Sequence, residues 1–189
     1  MSDKPSYLGL LNAIAVNEAR AQRYLSVWIG TTGDPDVAAV LRAVAWREGE
    51  HGMSFAKRVN ELGFEVREKH DPSVDEQLAV AGSDKSDLEK MRFFGLDRLD
   101  ETLRGFDGVF ADHSIDIRTG ELLGRYVAEE FDTARLLRCC YERLAARHGA
   151  AAPDAAGLAA LNDKVDALCR AVEELRQIVC AQTMPTEAS

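Results

Sequence analysis

The stretch Asp34-Pro35-Asp36-Val37-Ala38-Ala39-Val40-Leu41-Arg42-Ala43-Val44-Ala45-Trp46-Arg47-Glu48-Gly49-Glu50-His51-Gly52-Met53-Ser54-Phe55-Ala56-Lys57-Arg58-Val59-Asn60-Glu61-Leu62-Gly63 decides the fold. Val37, Val40, Leu41, Val44, Phe55, Val59 and Leu62 recur at helical spacing. Asp34 followed by Pro35 reads as an N-cap with proline at the first helical position, and Gly63 as a C-terminal glycine cap. At about 100° per residue, Glu48 and His51 fall inside the apolar stripe. A carboxylate and an imidazole on a buried face are costly unless something occupies the space between them. A metal ion is the leading candidate. The bland alternative is a partly solvated glutamate and a core histidine that found a backbone partner.

Towards the N-terminus a first helix is expected over Ser6 to Ile29, with Leu10, Leu11, Ile14, Ala21, Leu25, Trp28 and Ile29 as its stripe. Glu18 lies on that stripe and Asn17 at its other margin. Gly30-Thr31-Thr32-Gly33 is a short break, which makes the first two helices antiparallel neighbours. From Phe64 to Ser83 the signals are mixed: His70-Asp71-Pro72-Ser73 is a turn, and Val74 to Val80 suits a short helix. A long crossing between the second and third helices fits here.

The third helix opens on a capping box, Ser86-Asp87-Leu88-Glu89, and its face is Leu88, Leu96, Leu99, Leu103, Phe106 and Phe110. Glycines 95, 105 and 108 weaken it. Asp100 is next to the apolar stripe, and Glu101 points away from it. The fourth helix starts between Ile115 and Gly120 and runs to about Arg147, its core side marked by Leu122, Leu123, Tyr126, Val127, Ala134, Leu137 and Tyr141. After Asp154, the series Leu158, Leu161, Val165, Leu168, Val172, Leu175 and Val179 alternates spacings of three and four, a coiled-coil seam. The expected organisation is a helical bundle over residues 1–148, a heptad-patterned helix over 149–182 and a disordered tail over 183–189.

The 189 residues suit one domain with an appendage, and 46% hydrophobic content is ample for a core. A net charge of −9, with the basic residues dispersed, argues against nucleic acid and anionic membrane surfaces as partners. No apolar run approaches the roughly 20 residues needed to span a bilayer, and the polar start does not resemble a signal peptide. A cytoplasmic protein is the expectation. Cys139, Cys140, Cys169 and Cys180 include no Cys-x-x-Cys, so they build neither a zinc ribbon nor a rubredoxin-type site, and buried thiols serve as small apolar residues.

Each of four long helices thus carries an inward carboxylate. Bundle sites of the carboxylate di-iron kind take a Glu from each of two helices and a Glu-x-x-His from each of the other two. Paired divalent ions need several carboxylates to neutralise and bridge them, with an imidazole terminal to each. Here Glu18, Glu48 with His51, Asp100, and Glu129 with Asp132 meet part of that pattern.

Three stretches carry a resemblance to the rubrerythrin branch of the ferritin-like superfamily. Leu11-Asn12-Ala13-Ile14-Ala15-Val16-Asn17-Glu18-Ala19-Arg20-Ala21-Gln22-Arg23-Tyr24 looks like the family's first ligand helix. Arg47-Glu48-Gly49-Glu50-His51 with Phe55-Ala56-Lys57-Arg58 is similar to its second. Val127-Ala128-Glu129-Glu130-Phe131-Asp132, followed by Arg135 and Leu137, looks like its fourth, which usually ends Glu-Glu-Phe-His. The resemblance covers residues 6–147. It implies an all-α four-helix bundle, and with the chain signals above the expected fold is a ferritin-like up-and-down bundle with a long connection between helices 2 and 3 and an additional C-terminal helix. It also implies a two-metal centre, iron first and manganese as the other metal, that reduces peroxide or oxidises ferrous iron.

The implied ligands are Glu18, Glu48, His51, Glu129 and Asp132; helix 3 shows no clear family motif, and Asp100 is added by periodicity alone. Two positions stay open. A gap-free match to the family's Arg-Tyr ending puts Asn17 at the first ligand position, whereas matching Ala21 puts Glu18 there. On the fourth helix the motif selects Glu129 and the hydrophobic period selects Glu130. Asp132 stands where the family has His, which makes the site more anionic. Rubrerythrins proper also carry a rubredoxin domain whose cysteines this chain lacks, so a redox role needs an external electron donor.

Two classes of function follow. One is a redox metalloprotein acting on peroxide or oxygen. The other is a metal-free degenerate bundle that works as a helical oligomerisation or partner-binding protein, its carboxylates neutralised by Arg20, Arg47 and Arg125. Tyr24 and Tyr126 are hydrogen-bond partners in either case, and Trp28 and Trp46 core or boundary residues. A homodimer or higher homo-oligomer is expected, through the heptad seam.

Overall fold

A computed structural model describes residues 4–96 and 112–149, and the described residues form five helices and no strand. They are α1 (Leu8–Ile29), α2 (Pro35–Glu61), α3 (Ser73–Ala81), α4 (Asp87–Phe93) and α5 (Ile117–Gly149). The chain divides into two compact units, Met1–Arg147 and His148–Ser189. The heptad series from Leu158 onward, the tail and Asp100 lie outside the described residues. Among those described, no helix is long and apolar enough to cross a membrane.

Helix boundaries follow from local chemistry. Asp34 accepts from the backbone N–H of Asp36 at 2.9 Å and of Val37 at 3.4 Å, with Pro35 where a missing N–H costs nothing. At the other end of α2, Gly63 has φ +85°, Gly63 N–H donates to Asn60 O, and Phe64 N–H to Val59 O. This is the Schellman arrangement, which needs a residue free of a Cβ penalty. The capping box of Ser86 and Glu89 opens α4. The sequence leads one to expect this helix to continue through Leu96 towards Phe110. Instead it closes at Phe93 on a second Schellman turn, with Gly95 at φ +69° and Leu96 N–H donating to Met91 O.

Side-chain contacts set the helix directions. Tyr7 and Tyr126 at the two ends of one diagonal reach Asp116 and Glu18, so α1 runs parallel to α5. Arg58 reaches Asp116 and Thr119, Arg47 reaches Thr133, and Arg147 reaches Asp34, so α2 runs antiparallel to α5. Between α2 and α4 the chain travels back along α1. Asn12 exchanges two hydrogen bonds with the backbone of Arg67, and Arg20 binds Glu68 and Asp71. Thr31 then donates to Ala81 O, and the Trp28 indole N–H to Asp87 at 2.7 Å. Lys90 is buried beneath this crossing, its ammonium donating to Thr31 Oγ1 and Ala81 O.

Ala15, Ala19 and Gly52 let α1 and α2 approach closely: a Cβ on Gly52 would stand 3.1 Å from the Ala19 backbone nitrogen. The apolar interior then falls into two clusters. One gathers Leu25, Trp28, Leu41, Val44, Met91 and Leu137; the other gathers Leu11, Ile14, Phe55, Val59, Leu123 and Tyr126. Between these clusters the buried positions include Glu18 on α1, Glu48 and His51 on α2, and Thr133 on α5. Trp28 is fully buried, but Trp46, expected at the core or its boundary, is 78% exposed because it sits on the outer face of α2. Cys140 is buried as expected of a small apolar residue, whereas its neighbour Cys139 is exposed, one step round the helix.

Candidate metal centre

The polar layer between the two clusters is built by one residue pair from α2 and one carboxylate each from α1 and α5. Glu18, Glu48, His51 and Glu130 each offer a ligand atom, and these atoms lie within 4.8 Å of one another. Glu18, Glu48 and His51 are buried and Glu130 nearly so, its side chain 18% exposed. Burying three carboxylates together demands compensation from hydrogen bonds, protons or a cation.

Hydrogen bonds supply part of it. The Tyr126 hydroxyl donates to Glu18 Oε1 at 2.7 Å. Glu48 and Glu18 bring carboxyl oxygens within 4.8 Å of each other, where a proton on one can be donated to the other. Burial first, then that hydrogen bond and the charges of Glu18 and Glu130, push the Glu48 carboxyl far above the usual carboxylate range, against the opposing pull of Arg47. Burial likewise raises Glu130, with the Glu18 charge adding to it and His51 opposing. Burial also lifts the Tyr126 phenol, as do the charges of Glu18 and Glu130, so it stays a donor.

His51 is held by two neighbours. Its Nε2 lies 2.7 Å from Glu129 Oε2, and its Nδ1 lies 3.4 Å from Glu130 Oε1 without the alignment of a hydrogen bond. Burial lowers the imidazole pKa, but the two glutamates outweigh it and the net shift is upward. Tyr126 packs edge-on against the ring at 5.0 Å and fixes its plane. Nδ1 of His51 and Oε1 of Glu130 are both buried and both without a hydrogen-bond partner.

The residues expected as ligands therefore part company. Glu18, Glu48 and His51 converge, and at the first position Asn17 is exposed while Glu18 is buried. On α5 the converging residue is Glu130, which the hydrophobic period selects, and not Glu129, which the motif selects. Glu129 stands on the far side of the imidazole, bound by Arg125 Nε at 2.9 Å. Arg125 and His51 hold Glu129 below its ordinary pKa despite the opposing effect of burial. Asp132 is exposed, turned to Arg135 at 2.9 Å, because its place on the helix lies outside the inward arc.

Of the three arginines expected to neutralise the cluster, Arg20 and Arg125 are paired with other carboxylates, and Arg47 places its charge near enough to oppose the rise of Glu48 and Glu130. Arg20 binds Glu68 and Asp71, Arg47 donates to Glu129 O and Thr133 Oγ1, and Arg125 binds Glu50 and Glu129. The donor set of three carboxylates and one imidazole suits a hard or borderline divalent cation. With Nε2–H donated to Glu129, loss of the Nδ1 proton would turn that lone pair to the carboxylates, the arrangement by which an outer carboxylate orients a ligating histidine. The two unpartnered atoms are the ones a cation would satisfy, so the residues present fit a metal. Comparison with family models, with curated proteins and with solved structures finds no match for this chain.

Proposed function

We propose that the protein is a ferritin-like bundle that holds a two-metal carboxylate centre, iron first and manganese as the other metal, and acts on peroxide or dioxygen. The observation that carries this reading is the convergence of Glu18, Glu48, His51 and Glu130 with two buried, unpartnered ligand atoms at its centre. The path of the chain supports the bundle type. Parallel α1 and α5, with a connection returning along α1, is the arrangement produced by one long crossing between the second and third helices.

When bound, the metal supplies the electrons for reducing peroxide or dioxygen. The chain's own residues set the conditions. Glu18 and Glu130 present carboxylate oxygens, and His51 presents Nδ1 because Glu129 holds its other nitrogen. Glu48 must release its proton for its carboxylate to bind a cation, so loading is a proton-releasing event. Tyr126 keeps Glu18 in place from the apolar side. The electrons spent on peroxide must be restored by an external donor.

A second reading keeps the bundle metal-free, with Glu48, Glu18 and Tyr126 satisfying one another. It leaves His51 Nδ1 and Glu130 Oε1 only each other, at 3.4 Å and without the alignment of a hydrogen bond, which is why the metal reading is preferred. Titration of the metal-free protein with Co(II) separates the two. Saturable visible absorption that disappears in Glu130→Ala supports the centre, and a spectrum equal to that of free Co(II) supports the metal-free bundle. Loaded with Fe(II), the protein should then consume peroxide.

A further inference from the structure

A cavity of about 390 Å³ opens directly beside the carboxylates, with Glu18, Glu48 and Glu130 on its wall. Its size decides what it serves. Peroxide and dioxygen are little larger than water, whose share of liquid volume is about 30 Å³, whereas a void of about 150 Å³ already takes a benzene ring. The volume here lies in the range of pockets that bind small organic molecules.

The lining narrows the class. Tyr24 and Phe94 stack at 4.3 Å with planes 12° apart and form an aromatic wall. Leu25, Val44, Leu96 and Leu137 continue it as an aliphatic surface. The polar end is acidic: Glu18, Glu48 and Glu130 place carboxyl oxygens there that accept hydrogen bonds whether or not one of them holds a proton, and their charge disfavours an anion. Among the described lining residues the cation is Arg20, and its guanidinium is spent on Glu68, Asp71 and Lys69 O. An anionic head therefore finds no free positive charge. A neutral or cationic donor, with a ring or chain against Tyr24 and Phe94, matches both ends.

We infer that this cavity binds a small aromatic molecule bearing a neutral or cationic hydrogen-bond donor, a phenol or an aryl amine, with its donor at Glu18, Glu48 and Glu130 and its ring against Tyr24 and Phe94. That such a molecule is a substrate rests on the proposed metal centre; that it binds does not. The metal centre then faces an organic partner as well as the small oxidant.

The test uses the full-length, metal-free protein and 4-methylphenol, with 4-methylbenzoate as the anionic counterpart of similar shape. Saturable binding of 4-methylphenol below about 10 mM is expected, at least about tenfold tighter than 4-methylbenzoate. Nuclear Overhauser contacts from the ring to the methyl groups of Leu25, Val44 and Leu137 should locate it, a measurement that needs no variant. Ala21→Phe, which places a ring in the cavity, should weaken binding about tenfold or more while the protein melts cooperatively. No saturable binding, contacts to other methyl groups, or equal affinity for the benzoate would overturn the inference. Binding of 4-methylphenol by a protein that takes up no metal would remove the metal centre and leave the cavity; metal uptake without phenol binding would do the reverse.

Discussion

His51 Nε2 lies 2.7 Å from Glu129 Oε2, and this contact fixes which ring nitrogen faces the carboxylates. With Nε2 committed as donor, Nδ1 is the only imidazole nitrogen left for a cation. Glu129 and Glu130 are adjacent in sequence, yet in the proposed centre Glu130 would ligate and Glu129 would orient the imidazole. Glu130→Ala should therefore abolish Co(II) binding in an optical titration, whereas Glu129→Ala should weaken it about 10–100-fold without removing it. Equal losses in the two variants would contradict that division.

Glu48 links function to stability. Its folded-state pKa lies above the unfolded value, so between the two the native state holds a proton that the unfolded chain releases. Stability of the metal-free protein is therefore fully present below the ordinary carboxylate pKa and declines as pH rises towards the folded value. Glu48→Gln keeps its hydrogens at every pH. The variant should exceed the wild type in thermal stability by an amount that grows from about pH 5 to about pH 8, on the order of 1–2 kcal/mol at the upper end. The same variant should bind metal poorly. A wild-type melting temperature independent of pH over this interval would count against a buried protonated Glu48.

Gly52 and Gly49 differ although both lie on α2 beside α1. A Cβ at Gly52 meets the backbone of Ala19 and Ala15, which cannot swing aside, while one at Gly49 meets only the side chain of exposed Gln22. Gly52→Val should destabilise by about 2–3 kcal/mol and spread Glu18 from Glu48 and His51, weakening metal binding. Gly49→Ala should be neutral or stabilising by up to about 1 kcal/mol, since alanine favours the helix. Denaturant unfolding of the two variants checks the contrast.

Asp116 ties three elements at the end of the bundle remote from α4. It accepts from the Tyr7 hydroxyl, from Arg58 and from Thr119, and through the Thr119 N–H it caps α5. Burial would raise its pKa, but those donors hold it well below the usual range. A depressed carboxylate contributes stability that is present above its unfolded pKa and is lost as pH falls through the folded one. Asp116→Ala should cost about 1–2 kcal/mol at neutral pH and flatten the acid limb of the stability curve below about pH 4. Unfolding curves across that interval test it.

Much of the fold was legible because the relevant signals are local. Asp34-Pro35, Gly63 and the Ser86–Glu89 box act within a turn of the chain, so α2 starts at Pro35 and closes just before Gly63, and α4 starts at Asp87. The apolar period located Glu18, Glu48 and His51 on the inward arcs of their helices for the same reason. What the period conveyed less well was termination: Leu88 and Leu96 share a face in sequence, but Gly95 takes a left-handed conformation and ends the helix between them. On α5 two signals disagreed, and the physical one, the arc of buried residues, points to Glu130. Nothing local distinguishes Glu129 as an orienting group, because that role depends on His51 across the helix pair. The engagement of Arg20 by Glu68 and Asp71 was equally hidden, since it depends on where the returning connection lies.

The central claim is that the polar layer is a metal centre, and metal content tests it most directly. Protein purified from cells supplied with iron and manganese should carry about two metal ions per chain by elemental analysis. Glu48→Ala combined with His51→Ala should carry close to none while retaining the helical signal and cooperative melting of the wild type. Absence of metal from both proteins, each equally folded, would contradict the account and leave the carboxylate layer as a feature of a metal-free bundle.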